Sequence, residues 1–206
     1  MRILVIGASG TVGAAAVTAL KERHEKFGEG RLEILEAHRD SSEYPVDITN
    51  SASVGELFAK VRDLDAVVSA AGPGHMAPVS EATVDDYRKA AEGKLFSQIG
   101  IALAARKVIK PGGSITLTSG ILSDAPIPAG SPLAVANAGV NAFVTTSAAE
   151  FAPLRINAVS PNLLTESVDT FGGAMAGFIP VDGLQVAQGF VRSVYGADTG
   201  QVIKVW

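Results

Sequence analysis

The sequence predicts an α/β protein built on one parallel β-sheet that helices cover on both faces. Three observations predict this fold class. Short apolar segments alternate with segments of helical spacing along all 206 residues. The apolar segments are continuous rather than alternating, which is typical of strands buried on both faces of a sheet. The first of them, Arg2–Ile6, runs directly into a glycine-rich turn and then into a helix, as in doubly wound sheets.

The glycine-rich turn contains Gly7, Gly10 and Gly13, in a GxxGxxG pattern. Such a turn leaves backbone N–H groups free at a helix N-terminus, where the helix dipole favours an anion. In this interpretation Gly7 makes the tight turn, Gly10 lets a phosphate approach and Gly13 packs the helix against the strand. With its flanking strand and helix the pattern predicts a site for a nucleotide pyrophosphate. The alternative is an ordinary turn between a strand and a helix.

Apolar periodicity predicts the remaining elements. One helix follows the glycine turn, and a second begins in a capping box formed by Ser53 and Glu56. Two long helices are predicted at about Val84–Val108 and Pro132–Phe151, and a last one carries Leu184 and Val194 on one face. The predicted strands are Arg2–Ile6, Leu32–Ala37, Val46–Ile48, Ala66–Ala71, Ser114–Thr118, Arg155–Val159 and Gly200–Val205.

The second and third predicted strands are separated only by the short polar stretch Asp40–Pro45. A crossover helix between parallel strands needs a dozen residues or more, so none fits there. We therefore expect a short or irregular third strand, and a sheet edge that is exposed or covered by a partner chain. The expected strand order is 3-2-1-4-5-6-7 within a single domain, residues 1–206, in which the helix between strands 2 and 3 is missing.

Composition excludes several classes of function. A net charge of −4, with 47% hydrophobic and 18% charged residues, argues against disorder and against a nucleic-acid partner. The absence of cysteine excludes disulfides, thiolate catalysis and cysteine metal sites, and His24, His38 and His75 lie too far apart for a local metal motif. No segment has the length of a membrane span. The expectation is a cytoplasmic protein that acts on a small molecule, without a metal, a membrane or a nucleic acid as partner.

Four further motifs, together with the glycine turn, resemble the short-chain dehydrogenase/reductase family nearly end to end. Asp47-Ile48 resembles its adenine contact, and Ser69–Gly72 resembles the end of its fourth strand. Arg155–Pro161 and Thr199–Ile203 resemble its sixth and closing strands. The resemblance implies a Rossmann-type fold, a nicotinamide dinucleotide cofactor, and an oxidoreductase for a small carbonyl, enone, imine or quinone-like substrate. It also implies a homodimer or homotetramer. The chain is shorter than typical members of the family.

The end of the second strand indicates which dinucleotide binds. A carboxylate at this point would pair with the ribose hydroxyls of NAD, whereas an arginine accommodates the 2′-phosphate of NADP(H). Arg39 can bind a phosphate with two hydrogen bonds, and Ser41 or Ser42 can add a hydroxyl, which favours NADP(H) over NAD. The alternative is that Arg39 projects into solvent and Glu36 binds the ribose. The predicted cofactor-binding residues are Gly7, Ser9, Gly10, Thr11, Val12, Gly13, Arg39, Ser41, Asp47, Ile48, Ala70, Ala71, Gly72, Asn137, Pro161, Leu163 and Leu164.

The resemblance fails at the catalytic residues. Where the family has a Tyr-x-x-x-Lys pair, this sequence has Leu133 and Asn137. The family's serine position falls on Gly120, with Ser119 one residue earlier, and its asparagine position falls on Lys94. A leucine cannot donate a proton, and an asparagine can hydrogen-bond a ribose but brings no charge. The candidate catalytic residues are therefore Ser119, Lys94 and Asn137.

Each replacement group has a structural alternative. Lys94 can serve as a proton donor or an electrostatic clamp if it is partly buried, and is otherwise a solvated helix lysine. Ser119 and Thr118 can bind a substrate oxygen or simply cap the strand end. His75, in the loop after Gly72, can reach a substrate or is simply an exposed loop histidine. Glu166 stands where the family has a threonine that contacts the nicotinamide amide. Two functions stay open: a reductase with an altered proton donor, and a non-catalytic NADP(H)-binding sensor or assembly protein.

Overall fold

The central sheet has six strands in the order β2-β1-β3-β4-β5-β6, and every neighbouring pair is parallel. The structure is a computed structural model that describes residues 1–206. The parallel sheet and its covering helices confirm the predicted fold class. The strands are β1 Arg2–Ile6, β2 Glu33–Ala37, β3 Leu64–Ser69, β4 Ile109–Thr118, β5 Arg155–Pro161 and β6 Val202–Val205.

Helices cover both faces of this sheet, because successive residues of each strand point to opposite sides. In β1, Ile3 and Val5 pack with Leu20 and Phe190 on one face, whereas Leu4 packs into the larger cluster on the other. None of the helices is long and apolar enough to span a bilayer. The helices are α1 Thr11–Phe27, α2 Ser51–Lys60, α3 Val84–Ala90, α4 Ser97–Ala105, α5 Ser131–Phe151, α6 Val168–Phe171 and α7 Gly183–Tyr195, with a π-helical segment Ala91–Phe96 joining α3 to α4.

The predicted third strand, Val46–Ile48, does not form, so the sheet lacks the first member of the expected order. Only an isolated bridge between His38 and Pro45 remains at this place. Val46 and Ile48 are still buried, since they pack in the core beneath α2 without strand pairing. No helix lies between β2 and α2, as expected. The strand β2 is therefore the edge of the sheet.

Two helix predictions need correction. The second helix begins at Ser51, and its cap is Asn50, whose side chain accepts hydrogen bonds from the N–H groups of Ala52 and Ser53. Ser53 instead accepts the N–H of Asp47 at 3.0 Å, so it forms no capping box. The helix expected to continue to Val108 ends at Ala105, and its middle turn is π-helical. Such turns are frequent at functional sites.

Two glycine-to-alanine substitutions are expected to have opposite effects on folding stability. A Cβ atom on Gly13 would overlap the carbonyl oxygen of Gly7, so Gly13→Ala should lower the free energy of unfolding by about 1–3 kcal/mol or more. Gly55 lies in α2, and no neighbouring atom lies near the position that a Cβ atom would take. Gly55→Ala should therefore raise the free energy of unfolding by about 0.5–1 kcal/mol. Urea denaturation of both variants measures the difference. Equal effects would contradict the close packing assigned to the glycine turn.

Candidate cofactor and substrate site

A cleft of about 270 Å³ opens at the carboxyl ends of β1, β2 and β3. We call it the cofactor cleft. In doubly wound sheets, ligands bind at this edge. It is lined by Ile6, Gly7, Ser9, Gly10, His38, Arg39, Val46, Ile48, Ala70, Ala71, Gly72 and Pro73.

The glycine turn gives this cleft an open helix N-terminus. Gly7 has a φ of +84°, and a Cβ atom there would lie 2.8 Å from the Cβ of Ala71. Gly10 is the N-cap of α1, and no side chain caps the helix. The first turn of α1 carries no acidic residue that would oppose an anion. The turn therefore fits the pyrophosphate of a dinucleotide, because uncapped N–H groups and the helix dipole both favour negative charge.

Arg39 lies at the rim of the cofactor cleft, with its side chain 71% exposed. Its guanidinium is 3.8 Å from Oδ1 of Asp47. Hydrogen bonds from the side chain and backbone of Thr49 lower the pKa of Asp47, so this carboxylate stays charged beside the arginine. Glu36 points away from the cleft and pairs with Lys21 on the outer surface at 3.4 Å. Arg39 thus lines the cleft at its rim, whereas Glu36 is paired outside it.

Several predicted cofactor residues do not line the cleft with their side chains. The Ser41 hydroxyl donates to the carbonyl of Glu36 at 3.2 Å and accepts the N–H of Tyr44 at 3.1 Å, so it holds the turn after β2. Asp47 does not line the cleft; its carboxylate contacts Arg39 and accepts hydrogen bonds from Thr49. Residues 11–13 form the first turn of α1, next to the lining residue Gly10.

A second cavity of about 240 Å³ meets the cofactor cleft at Gly72. We call it the inner cavity. Its polar side chains include Lys94, Ser119 and Asn137, and no acidic residue lines it. Pro161, Leu163 and Leu164, which were predicted to contact the cofactor, also line this cavity. The apolar side chains of its wall are Met76, Ile121, Leu122, Ile127, Leu133, Phe171 and Met175 together with these three.

Lys94 reaches the inner cavity from the π-helical segment and is only 7% exposed. The missing side chain of Gly72 makes room for it, since a Cβ there would lie 2.8 Å from Cδ and 3.3 Å from Nζ of Lys94. Gly93 lets the helix approach the loop after β3, because a Cβ atom at this position would lie 2.9 Å from the carbonyl oxygen of Pro73. Burial alone lowers the pKa of Lys94, to about 8. Lys94 is therefore a buried lysine, not a solvated one.

Ser119 and Asn137 complete the polar part of the inner cavity. The N–H of Ser119 donates to the carbonyl of Val159 at 2.9 Å, which fixes the residue after β4. The Oγ atom of Ser119 and the Oδ1 atom of Asn137 are buried without a hydrogen-bond partner. Leu133 lies one turn before Asn137 in α5 and packs against Gly74. A Cβ on Gly120 would lie 3.0 Å from Nδ2 of Asn137, so the turn after β4 and this part of α5 are in contact.

Gln98 is a supporting residue that the sequence did not reveal. Its amide donates to the carbonyl of Ala71 and accepts the N–H of Thr118 at 3.3 Å, so it ties the ends of β3 and β4 together. Thr118 itself donates to the carbonyl of Ser69 at 2.6 Å and acts structurally. The spacing in the sequence could have indicated this residue, because Gln98 follows Lys94 by one helical turn in a largely apolar helix.

His75 and Glu166 have partners of their own. His75 Nε2 lies 2.8 Å from Oδ1 of Asp86, which also closes the capping box of α3 with Thr83. Glu166 accepts the N–H of Gly183 at the start of α7 at 3.1 Å. Neither side chain lines the inner cavity.

Known proteins resemble this chain over most of its length. Residues 11–177 match the family described as enoyl-(acyl carrier protein) reductase. The short-chain dehydrogenase/reductase ATR9 of Stachybotrys chlorohalonatus is 30% identical over 77% of this chain and 72% of its own. A (5R,7aS)-5-hydroxy-7a-methyl-1-oxo-2,3,5,6,7,7a-hexahydro-1H-indene-carboxyl-CoA reductase of Mycobacterium tuberculosis is 29% identical over 79% of this chain and 70% of its own.

Solved structures show the same architecture. The protein lin1944 of Listeria innocua aligns over 100% of both chains with a TM-score of 0.90 and 40% identity. A small-chain dehydrogenase in complex with NADPH aligns over 100% of this chain and 96% of its own, with a TM-score of 0.83 and 25% identity. The matched motifs, the sheet and these relatives agree: the chain belongs to the short-chain dehydrogenase/reductase family.

Proposed function

We propose that this protein is an NADP(H)-dependent reductase of a small carbonyl, enone, imine or quinone-like substrate, in which Lys94 donates the proton. The observation that carries this proposal is the buried side chain of Lys94, which lines the inner cavity and lies against Gly72, where that cavity meets the cofactor cleft. A related dehydrogenase binds NADPH, and another relative is a reductase, which supports the same assignment.

The cofactor cleft supplies the groups that hold NADP(H). The open N-terminus of α1 faces the pyrophosphate, and Arg39 binds the 2′-phosphate at the rim. Ala70 to Gly72 form the floor that leads to the inner cavity. When bound, the dinucleotide supplies a hydride to the substrate.

Lys94 has the properties that a proton donor needs. At pH 7 it is mostly protonated, yet its pKa of about 8 is close to the working pH, which favours proton transfer. Its Nζ atom adjoins Gly72, the residue shared by the two cavities. The free hydroxyl of Ser119 can hold the substrate oxygen by a hydrogen bond, and Leu133 only excludes water. In such an apolar surrounding, a positive charge stabilises a developing oxyanion more strongly than it does in water.

Fluorescence titration with NADPH and NADH tests the cofactor part of the proposal. Wild type should bind NADPH more tightly than NADH. Replacing Arg39 by alanine should weaken NADPH binding about tenfold. This value is at the low end of the range for hydrogen bonds to charged groups, because the guanidinium is largely exposed to solvent. The affinity for NADH should not change.

Arg88→Ala is the matched control for Arg39→Ala. Arg88 is an exposed arginine paired with Asp85, as Arg39 is paired with Asp47, but it lies on α3 away from the cleft. It should leave both affinities unchanged. Equal affinity of wild type for NADH and NADPH would show that the cofactor assignment is wrong.

A screen of ketones, conjugated enones, imines and quinones with NADPH tests the reductase itself. NADPH oxidation above background with at least one class is expected. Quinones and activated enones need little acid assistance, so they should respond first. If NADPH binds but no class is reduced, the non-catalytic sensor or assembly protein, favoured by Leu133 and Asn137 at the catalytic positions, replaces the reductase.

A further inference from the structure

The inner cavity contains three polar side chains that are each more than nine-tenths buried and have unused hydrogen-bonding capacity. Lys94 is 7% exposed, Ser119 is 4% exposed and Asn137 is 3% exposed. Ser119 Oγ and Asn137 Oδ1 have no hydrogen-bond partner, and the Lys94 side chain lines the same cavity without an acidic residue beside it. Buried polar groups without partners are rare in folded proteins, and two of them beside a buried lysine in one cavity are groups that a ligand can contact.

The charge of the cavity defines the ligand that would satisfy the two donors, the Lys94 ammonium and the Ser119 hydroxyl, whereas Asn137 Oδ1 accepts and needs a separate donor. Lys94 is the only charged residue among the lining residues, and the rest of the wall is largely apolar. An uncompensated buried charge is costly, and an anion placed beside it removes much of that cost. The phosphates of a dinucleotide do not provide this anion, because Lys94 does not line the cofactor cleft around the glycine turn. The complementary ligand is an apolar molecule with one negative group.

A carboxylate satisfies this requirement better than a neutral carbonyl group. It is ionised at neutral pH and has two oxygens that accept hydrogen bonds. The ammonium of Lys94 has three donors, and the Ser119 hydroxyl adds a fourth. If Lys94 also donates the proton in the reaction, the carboxylate and the reacting carbonyl must both reach one nitrogen. In a 2-oxo acid the two groups are bonded neighbours, so one ammonium group can contact an oxygen of each.

We propose that the inner cavity binds small 2-oxo acids with an apolar side chain, and that Lys94 contacts both the carboxylate and the 2-oxo oxygen. The inference rests on the reductase function proposed above. The volume of about 240 Å³ lies below the ~300 to 1,000 Å³ typical of pockets for drug-sized ligands, so the side chain is short. Leu133, Ile121 and Met175 are among the residues that would surround it.

The reaction balances without a further reactant. C2 of the 2-oxo acid accepts a hydride from the reduced dinucleotide, the electron pair of the C=O π bond moves to oxygen, and Lys94 gives that oxygen a proton. The product is a 2-hydroxy acid, and Lys94 regains a proton from solvent. The carboxylate is not consumed, so an acid without the 2-oxo group should bind and not react.

Calorimetric titration of the protein with 4-methylpentanoate and 4-methylpentanamide tests the carboxylate site without turnover. The two probes have nearly the same shape, but only the first is charged. The carboxylate should bind wild type at least about tenfold more tightly than the amide, as expected for a hydrogen bond to a charged group. Lys94→Met should abolish this preference. Lys89→Met, which removes an exposed lysine of α3, should retain it.

NADPH oxidation with 4-methyl-2-oxopentanoate and with its methyl ester provides the second test. The acid should have a kcat/KM at least about tenfold higher than the ester. If the ester is reduced as fast as the acid, the reductase function stands and the 2-oxo acid inference is overturned. If neither is reduced while wild type still prefers the carboxylate probe and Lys94→Met does not, the cavity binds a carboxylate but 2-oxo acids are not substrates, and the inference is overturned. The reductase function is then decided separately by the NADPH screen of the other substrate classes. Equal binding of the carboxylate and the amide to wild type overturns the inference.

Discussion

Replacing Lys94 by methionine is expected to raise the free energy of unfolding by about 3 kcal/mol at pH 7. The folded protein lowers the pKa of Lys94 from 10.5 to about 8, and each pKa unit corresponds to about 1.4 kcal/mol. Below pH 8 the lysine is charged in both the folded and the unfolded chain, so the folded state carries the full cost of burying that charge. Methionine has a similar length and no charge, so it removes the cost.

This effect should disappear as the pH rises. Between about pH 8 and pH 10.5 the unfolded chain keeps the proton on Lys94 while the folded protein loses it, so wild-type stability rises with pH through this window. The difference between Lys94→Met and wild type should shrink accordingly. Urea denaturation of the cofactor-free protein at pH 7 and at pH 9.5 measures it, with the exposed Lys89→Met as control. A Lys94→Met variant less stable than wild type at pH 7 would show that the ammonium has a favourable partner in the protein.

The same substitution should nearly abolish reduction. Loss of a positioned general acid typically lowers the rate by about 10²- to 10⁴-fold, and no other lining side chain carries a positive charge. We expect kcat for the best substrate of the NADPH screen to fall by this amount in Lys94→Met. The dissociation constant of NADPH should change little, because Lys94 lies outside the cofactor cleft. Stopped-flow single-turnover measurements and NADPH titration separate the two quantities.

Ser119→Ala provides a graded comparison for this loss. It removes a hydroxyl that can hold the substrate oxygen but leaves the charge of Lys94, so its effect on kcat should be smaller than that of Lys94→Met. Undiminished turnover in Lys94→Met would remove Lys94 from the chemistry. A more stable but inactive Lys94→Met variant would instead illustrate the exchange of stability for activity that is common at functional sites.

The fold could be predicted from local pattern because the strands of a parallel sheet are short, continuous apolar segments. The same pattern misassigned residues 46–48. Val46 and Ile48 are apolar and buried, but an apolar pattern does not distinguish a paired strand from a segment packed beneath a helix. Asn50 took the cap position from Ser53 because its side chain reaches two free N–H groups of the helix start, which spacing rules do not resolve.

The candidate site was likewise predicted from the sequence only in part. Position within the family motifs identified Lys94, Ser119 and Asn137, and the structure brings all three to one cavity. The burial of Lys94 could not be predicted, since it depends on the close approach of Gly72 and on a π-helical turn. The role of Ser41 could not be predicted from the sequence either, because its hydroxyl forms hydrogen bonds with the backbone of Glu36 and Tyr44.

The pH dependence of kcat/KM for NADPH-dependent reduction is the most direct test of Lys94 as the proton donor. In wild type, kcat/KM should be constant below about pH 8 and fall tenfold per pH unit above it, because the free enzyme then loses the donated proton. The residual activity of Lys94→Met should show no such decline. A wild-type profile that stays flat through pH 8, or a decline that persists in Lys94→Met, would contradict the assignment of Lys94 as the group that protonates the substrate.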